Sequence, residues 1–221
     1  MNPSLIQTIV VYALPVIFAI TLHEAAHGYV ARLLGDNTAY MMGRVSFNPM
    51  RHIDPVGTIA IPLVLYFLTG GAFMFGYAKP VPVVFGNLRN PRWGTFWVAL
   101  AGPLSNFIQA LLWGVVAVLL PGLGVDEPFF TRMAAAGVGV NLVLGVINLF
   151  PLPPLDGGRV LMALLPPRQA LALARLERWG FFIVMALLVT GLLTKVWLRP
   201  LVSFGYDAVT TILTPLASLF N

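Results

Sequence analysis

The chain has 221 residues, a length that suits one domain or at most two. Hydrophobic residues make up 58% of the sequence and charged residues only 10%, whereas an ordinary soluble domain carries roughly 25% charged residues. This composition, together with a mean hydropathy of +0.86, excludes a disordered chain and argues strongly against a soluble globular protein. It indicates a protein embedded in a lipid bilayer.

The net charge of +5 comes from 13 Lys and Arg residues against 8 Asp and Glu residues. The basic residues lie in short polar stretches between apolar runs, a pattern that orients membrane proteins with their positive loops inside. No basic helix or aromatic stacking module is visible, so nucleic acid is not an expected partner. Cysteine is absent, so any metal ion must be held by His, Asp or Glu.

The first predicted element is a transmembrane helix over residues 5–34. Its apolar length exceeds the about 20 residues that span the hydrocarbon core. No Lys or Arg precedes it, so we expect an uncleaved helix rather than a secretory signal peptide. A polar connector over residues 36–55 follows, and the alternating residues 43–48 within it predict a short strand.

The second apolar run, residues 56–77, is interrupted by Pro62 and by Gly70 and Gly71. These breaks predict a re-entrant segment or a short hairpin rather than a full span. Residues 79–84 are expected to be extended, because each proline there restricts the residue before it.

Three further apolar runs, residues 94–120, 133–150 and 179–194, predict transmembrane helices. The weaker run at 198–220 is a sixth span or an interfacial helix. The predicted fold class is therefore an all-α polytopic membrane protein of about five to six transmembrane helices, with a re-entrant segment and short membrane-associated β-strands. We expect two polar residues inside these runs, Asn106 and Asn141, to bridge or pack helices.

One motif in the first predicted helix carries chemistry. His23 and His27 are four residues apart, so both imidazoles lie on one helix face and can reach the same ion. Glu24 is placed to address a water at that ion without binding the ion, as in zinc hydrolases where glutamate is the general base. The alternative is a helix end with solvated histidines. A charged group at the bilayer centre costs about 2.5–3.5 kcal/mol, however, so this apolar setting favours a bound divalent cation.

Two histidines leave a hydrolytic zinc ion one protein ligand short. His52 lies beside Arg51 and Asp54 in what looks like a solvated loop, and we do not expect it to be a ligand. Asp156 follows a proline-rich break that could aim its side chain inward. It could equally cap a short helix over residues 158–165, and the residues alone leave both interpretations open.

These motifs occur together in a known family. The pattern of His23, Glu24 and His27, followed later by Asn148-Leu149-Phe150-Pro151 and Leu155-Asp156-Gly157, resembles the site-2 protease family of intramembrane zinc metalloproteases. Shorter stretches are similar to its small bacterial members, and the resemblance covers roughly residues 15–165. Nothing in the sequence resembles the PDZ or CBS domains of larger relatives. The stretches shared with the small members are 43–49, 78–82 and 101–106.

The resemblance implies a role for each matching residue. His23, His27 and Asp156 would be the ligands of one Zn²⁺ per chain, and Glu24 would be the catalytic base. Asn148 matches a family asparagine that contacts the substrate or the reacting oxygen. The implied enzyme is a zinc metalloendopeptidase that hydrolyses peptide bonds of transmembrane protein substrates inside the bilayer.

The implied domain organisation is one integral-membrane metalloprotease domain over residues 1–221. Its catalytic core would cover about residues 5–165, and C-terminal helices would cover about residues 176–221. The expected location is the bacterial plasma membrane, with several membrane passes. The sequence does not indicate the oligomeric state.

The position of Asp156 constrains the topology. To reach the depth of His23 and His27, it needs the first helix and the helix at 133–150 to point the same way. The re-entrant course of 56–77 satisfies this requirement, and it places most Lys and Arg residues on the cytoplasmic side with the active site.

Two other functions are compatible with the motif. A transporter or ion pathway could use the same His, Glu and Asp groups, but it predicts ionisable residues at several depths rather than at one. A non-catalytic family member would bind substrates without cutting them, and the presence of Glu24 argues against it.

Overall fold

The computed structural model describes residues 5–61, 64 and 79–220. Its first helix, α1 (Leu5–Leu33), is 29 residues long and so extends about 44 Å, more than the hydrocarbon core requires. The helix ends before Gly35, whose φ of 115° lies in the left-handed region that favours glycine. A short helix, α2 (Thr38–Met41), follows.

Two long helices pack beside α1. Helix α3 (Pro91–Gly122) begins at Asn90, whose side chain accepts a hydrogen bond from the Trp93 N–H at 3.2 Å. Helix α4 (Pro128–Asn148) follows α3 after a short loop. Its glycines let the two helices approach closely, because Gly137 faces the Trp113 ring and Gly145 the Phe107 ring.

Contacts along these helices fix their directions. His23 and His27 of α1 meet Asn106 and Val98 of α3 in that order, so α1 and α3 are antiparallel. Gly137 and Gly145 meet Trp113 and Phe107 in the reverse order, so α3 and α4 are antiparallel as well. Helices α1 and α4 therefore run in the same direction, as predicted from the position of Asp156.

Four helices complete the described fold: α5 (Asp156–Leu164), α6 (Pro167–Ala174), α7 (Glu177–Val189) and α8 (Arg199–Ala217). Leu213 of α8 packs at Gly114 of α3, and the Trp197 indole N–H donates to the Val146 carbonyl of α4 at 2.9 Å. The α8 segment thus packs against both α3 and α4. Short 3-10 turns at Pro49–Arg51 and Phe85–Asn87 and π-helical turns at Pro55–Ala60 and Thr194–Leu198 join the helices.

The number of membrane spans is lower than predicted. Within the described residues, only α1, α3 and α4 are long and apolar enough to cross a membrane alone. The predicted fifth and sixth spans form a pair, α7 and α8, bent by 79° at a short break, which adds one broken span or a re-entrant loop. With 13 residues, α7 extends only about 20 Å, short of the about 30 Å hydrocarbon core. The expectation of five to six spans is therefore not confirmed.

The predicted β-strands are wrong for the part of the chain that the structure describes, which contains none. Residues 43–48 form an irregular, bent connector instead, and the Ser46 carbonyl lies 2.8 Å from His52 Nε2. Residues 79–84 lack regular helix or strand structure, and their N–H groups bond outside any ladder. Those of Val81 and Val84 donate to carboxylates, and that of Lys79 to the His52 carbonyl. Pro80 and Pro82 have no N–H group for a ladder. Most of the predicted re-entrant segment, 56–77, lies outside the described residues.

Candidate metal centre

The two motif histidines lie in the second half of α1, buried against α3. His23 is 8% exposed and His27 is 9% exposed. The helix repeat places both rings on one face, with their Nε2 atoms 3.0 Å apart. The sequence spacing therefore brings these two nitrogens to one point inside the protein.

Asp156 reaches the same point from the start of α5. Its Oδ2 lies 3.2 Å from His23 Nε2 and 3.4 Å from His27 Nε2. Leu155, not Asp156, occupies the N-cap position of α5, so the capping interpretation is wrong. Gly157 lies against the Leu149 carbonyl just after α4, where a Cβ would clash, so the absence of a side chain lets the start of α5 pack closely on the end of α4.

Each imidazole has a partner for its other nitrogen. His27 Nδ1 lies 2.6 Å from the Val98 carbonyl, and His23 Nδ1 lies 2.6 Å from Asn106 Oδ1. A carbonyl oxygen only accepts, so His27 must donate through Nδ1, and in the neutral ring the Nε2 lone pair is free. With Asp156 Oδ2, the centre then gathers electron-pair donors that repel one another unless a cation lies between them.

The spacing of the three donors fits zinc. Zinc in a tetrahedral site bonds His nitrogen and carboxylate oxygen at about 2.0–2.2 Å, which separates neighbouring ligand atoms by about 3.3 Å. The three separations in the structure are 3.0, 3.2 and 3.4 Å. Among the described residues, these three form the group of His, Asp and Glu side chains that could hold a metal ion. Three protein ligands leave a fourth position for water or substrate, as in hydrolytic zinc sites.

A cavity of about 350 Å³ opens beside the three donors, and both other predicted site residues line it. Glu24 accepts a hydrogen bond from the Val81 N–H at 2.7 Å, which holds its carboxylate against the segment 79–84. Asn148 donates through Nδ2 to the Leu144 carbonyl at 2.9 Å. Because an amide has one oxygen and two N–H donors, the remaining capacity of Asn148 is available to a ligand in the cavity.

His52 is not part of this group. The sequence suggests a solvated loop around it, but the structure buries its side chain to 1% exposure. Its Nε2 lies 2.8 Å from the Ser46 carbonyl, and its own carbonyl accepts from the Lys79 N–H. The prediction that His52 is no ligand agrees with this arrangement, although the reason is burial away from the donors rather than solvation.

Three neighbours of the centre were missed by the sequence analysis. Asn106 bridges helices as expected, but it also contacts His23 directly. A buried amide in an apolar run is a signal that could have indicated this role. Val98 acts through its backbone carbonyl, which no sequence pattern reveals. Gly102 packs directly against both imidazoles, and a glycine in a helix gives no indication of what faces it.

Comparisons with known proteins agree with a metalloprotease centre. The family model of peptidase family M50 matches residues 11–138 and 128–191. The "Putative zinc metalloprotease YwhC" of Bacillus subtilis is 37% identical over 212 residues, which are 94% of this chain and 89% of that protein. The "Putative zinc metalloprotease Rip2" of Mycolicibacterium smegmatis is 31% identical over 197 residues, covering 86% of this chain and 71% of the relative. No solved structure matches the chain significantly.

Proposed function

The chain belongs to peptidase family M50, the site-2 proteases, and we propose that it hydrolyses peptide bonds of transmembrane protein substrates inside the bilayer. It is a membrane protein and a zinc metalloprotease, so its substrates are proteins. The observation that carries the proposal is the convergence of three metal donors at tetrahedral spacing, two of them on a helix long enough to cross a membrane and the third on α5.

We assign His23, His27 and Asp156 as the ligands of one zinc ion per chain. The fit of their donor separations to a tetrahedron supports this assignment. A zinc ion held there supplies Lewis-acid activation of water and of the scissile carbonyl. Helix α1, the packed start of α5 and the hydrogen bonds that Nδ1 of each ring donates hold the metal donors in place before substrate arrives.

Glu24 is the proposed general base. Its carboxylate lines the cavity beside the donors but is not one of them, as a base that takes a proton from the attacking water requires. The same carboxyl group then returns the proton to the leaving amine. Asn148 lines the same cavity, and its free amide capacity suits a hydrogen bond to the substrate or to the developing oxyanion.

The substrate backbone must be accessible at this site. A transmembrane helix hides its carbonyls in internal hydrogen bonds, so we infer that the substrate unwinds locally before cleavage. The cavity, walled on one side by Pro80, Val81 and Val83, is the proposed place for the unwound segment. The transport alternative is not favoured, because the family and the named relatives are metalloproteases.

A Glu24→Gln variant tests the chemistry. Purified full-length protein would be reconstituted in liposomes with a transmembrane model substrate, and both cleavage rate and zinc content would be measured. General acid–base catalysis contributes roughly 10²–10⁴-fold, so we expect cleavage to fall by at least about 100-fold. Zinc should stay near one ion per chain.

The control is Glu127→Gln, which makes the same change at an exposed loop residue and should cleave as the parent does. Undiminished cleavage by Glu24→Gln would contradict the assignment of the base. Undiminished zinc content in both His23→Ala and Asp156→Ala would contradict the assignment of the ligands.

A further inference from the structure

We propose that Asn106 is a positioning residue that fixes the ring orientation and the tautomer of His23, so that the Nε2 lone pair of His23 faces the metal. The inference rests on the proposed zinc site. It assigns a function in the centre to a residue of α3 that lies outside the cavity and touches neither metal nor substrate.

Asn106 is completely buried at the place where three helices meet. Its side chain makes three contacts: with His23 Nδ1 at 2.6 Å, with the Ala19 carbonyl at 3.2 Å, and with Asn141 Oδ1 at 3.0 Å. An amide in a membrane interior is costly unless its hydrogen-bonding groups are satisfied. All of these partners lie in α1 or α4, so the amide has a single orientation set by its surroundings.

The orientation follows from which partners can only accept. The Ala19 carbonyl has no hydrogen to donate, so the Asn106 atom facing it must be the Nδ2 donor. Asn141 donates a hydrogen bond from its own Nδ2 to the Gly137 carbonyl at 2.9 Å, which turns its oxygen toward Asn106. The Asn106 atom that faces this oxygen must again be the Nδ2 donor. The oxygen of Asn106 is therefore the atom that faces His23.

This orientation determines which nitrogen of the neutral His23 ring carries the hydrogen. An oxygen acceptor 2.6 Å from Nδ1 requires that Nδ1 carry the hydrogen, so in neutral His23 the Nε2 lone pair is free toward Asp156 and His27. The opposite tautomer would place two acceptors against each other at Nδ1 in a buried site, at the cost of an unsatisfied group. The polar chain from Gly137 through Asn141 and Asn106 thus ends in a ring that is prepared to bind a cation.

The two histidines differ in how they are held. His27 donates to the backbone carbonyl of Val98, which no substitution removes, whereas His23 depends on a side chain. Groups that hydrogen-bond a metal-binding histidine typically contribute 10–100-fold to metal affinity. The contribution of the His23 partner can therefore be measured by substitution, with that of His27 left unchanged.

The test compares Asn106→Leu with Asn106→Asp in the full-length protein in detergent. The readouts are the zinc dissociation constant, from competition with a chelator, and the zinc-induced shift of the unfolding temperature. Leucine removes the acceptor, and we expect zinc to bind about 10–100-fold more weakly. Aspartate keeps an oxygen at Nδ1 but loses the hydrogen bonds that Asn106 donates to Ala19 and Asn141. We expect zinc affinity within about threefold of the parent, since a carboxylate is a common partner of metal-binding histidine.

Equal weakening in the leucine and aspartate variants would overturn the inference, because it would show that only the bridge between helices matters. Unchanged affinity in Asn106→Leu would also overturn it. If Asn106→Leu does not fold, Asn106→Ser replaces it, since the serine hydroxyl is too short to reach Nδ1, and the same loss is expected. His23→Ala separates the role of Asn106 from the zinc site on which it depends, because unchanged zinc affinity in this variant contradicts the zinc site itself.

Discussion

Gly102 leaves the space that the two imidazole rings occupy between α1 and α3. A Cβ at this position would lie 2.6 Å from both Cε1 and Nε2 of His23, and closer still to Nε2 of His27. Optimal contacts between heavy atoms are about 3.5–4.0 Å, so even one methyl group would displace the rings. The absence of a side chain at Gly102 is therefore a requirement of the centre rather than a generic feature of helix packing.

We predict that Gly102→Ala weakens zinc binding by at least about tenfold and reduces cleavage in proportion, because the rings can no longer converge with Asp156. Zinc content per chain after dialysis against a weak chelator measures the effect. Gly86→Ala is the matched control, since nothing lies within 4 Å of a Cβ there. Retention of full zinc affinity in Gly102→Ala would contradict this account.

At the level of elements, the irregular segment 79–84 is held by two carboxylates rather than by a neighbouring strand. Glu24 accepts from Val81, and Asp36 accepts from Val84. Asp36 also accepts from the Thr38 N–H and hydroxyl and from the Asn87 amide, and it is completely buried just beyond the end of α1. Asp36 thus fixes one end of the segment that walls the cavity over Glu24.

The charge of Asp36 makes this attachment sensitive to pH. Burial alone would raise the pKa of Asp36, but the hydrogen bonds from Thr38, Val84 and Asn87 outweigh it and hold the pKa below its ordinary value. A carboxyl whose pKa is lowered by folding stabilises the fold fully above its unfolded pKa of about 3.9, and this stabilisation is lost as the pH falls through the folded pKa.

We therefore predict that the unfolding temperature in detergent falls as the pH drops below about 4, and that Asp36→Asn reduces this dependence. At neutral pH the variant should be less stable by about 1–3 kcal/mol, because buried donors lose a charged acceptor. Thermal unfolding at a series of pH values measures both effects. Asp126→Asn in an exposed loop is the control, and identical pH profiles of Asp36→Asn and the parent would contradict the prediction.

The sequence predicted local backbone structure better than contacts between residues that are distant in sequence. Helical spacing placed His23 and His27 on one face. The expectation of an extended backbone at 79–84 holds at Val84, in a segment without regular helix or strand. A pattern of alternating residues or of prolines cannot show whether a backbone N–H donates to a neighbouring strand or to a carboxylate. The predicted strands were wrong for this reason. The residues alone also did not decide whether Asp156 is a helix N-cap or a metal ligand. The histidines that face its carboxylate belong to α1, which is distant in sequence.

On the scale of the whole molecule, the parallel course of α1 and α4 brings the end of α1, the segment 79–88 and α5 to one end of the helix bundle. The Arg89 N–H, for example, donates to the Leu34 carbonyl at 2.9 Å, and Arg92 donates to the Ala163 carbonyl at 2.7 Å. The loop between α3 and α4, with Asp126 and Glu127, lies at the opposite end. Basic residues such as Arg89 and Arg92 therefore lie at the end that holds the centre, whereas the loop at the opposite end carries Asp126 and Glu127.

The positive-inside rule then predicts that the metal centre lies nearer the cytoplasm. The natural chain has no cysteine, so single cysteines can be introduced and labelled in intact cells with a membrane-impermeant maleimide. Asn87→Cys, exposed at the end of the bundle near the centre, should react only after the cells are permeabilised, whereas Asp126→Cys should react directly. Direct labelling of Asn87→Cys together with protection of Asp126→Cys would invert the orientation. Because both positions lie in loops outside the helices, this result would revise the topology without affecting the assignment of the zinc ligands.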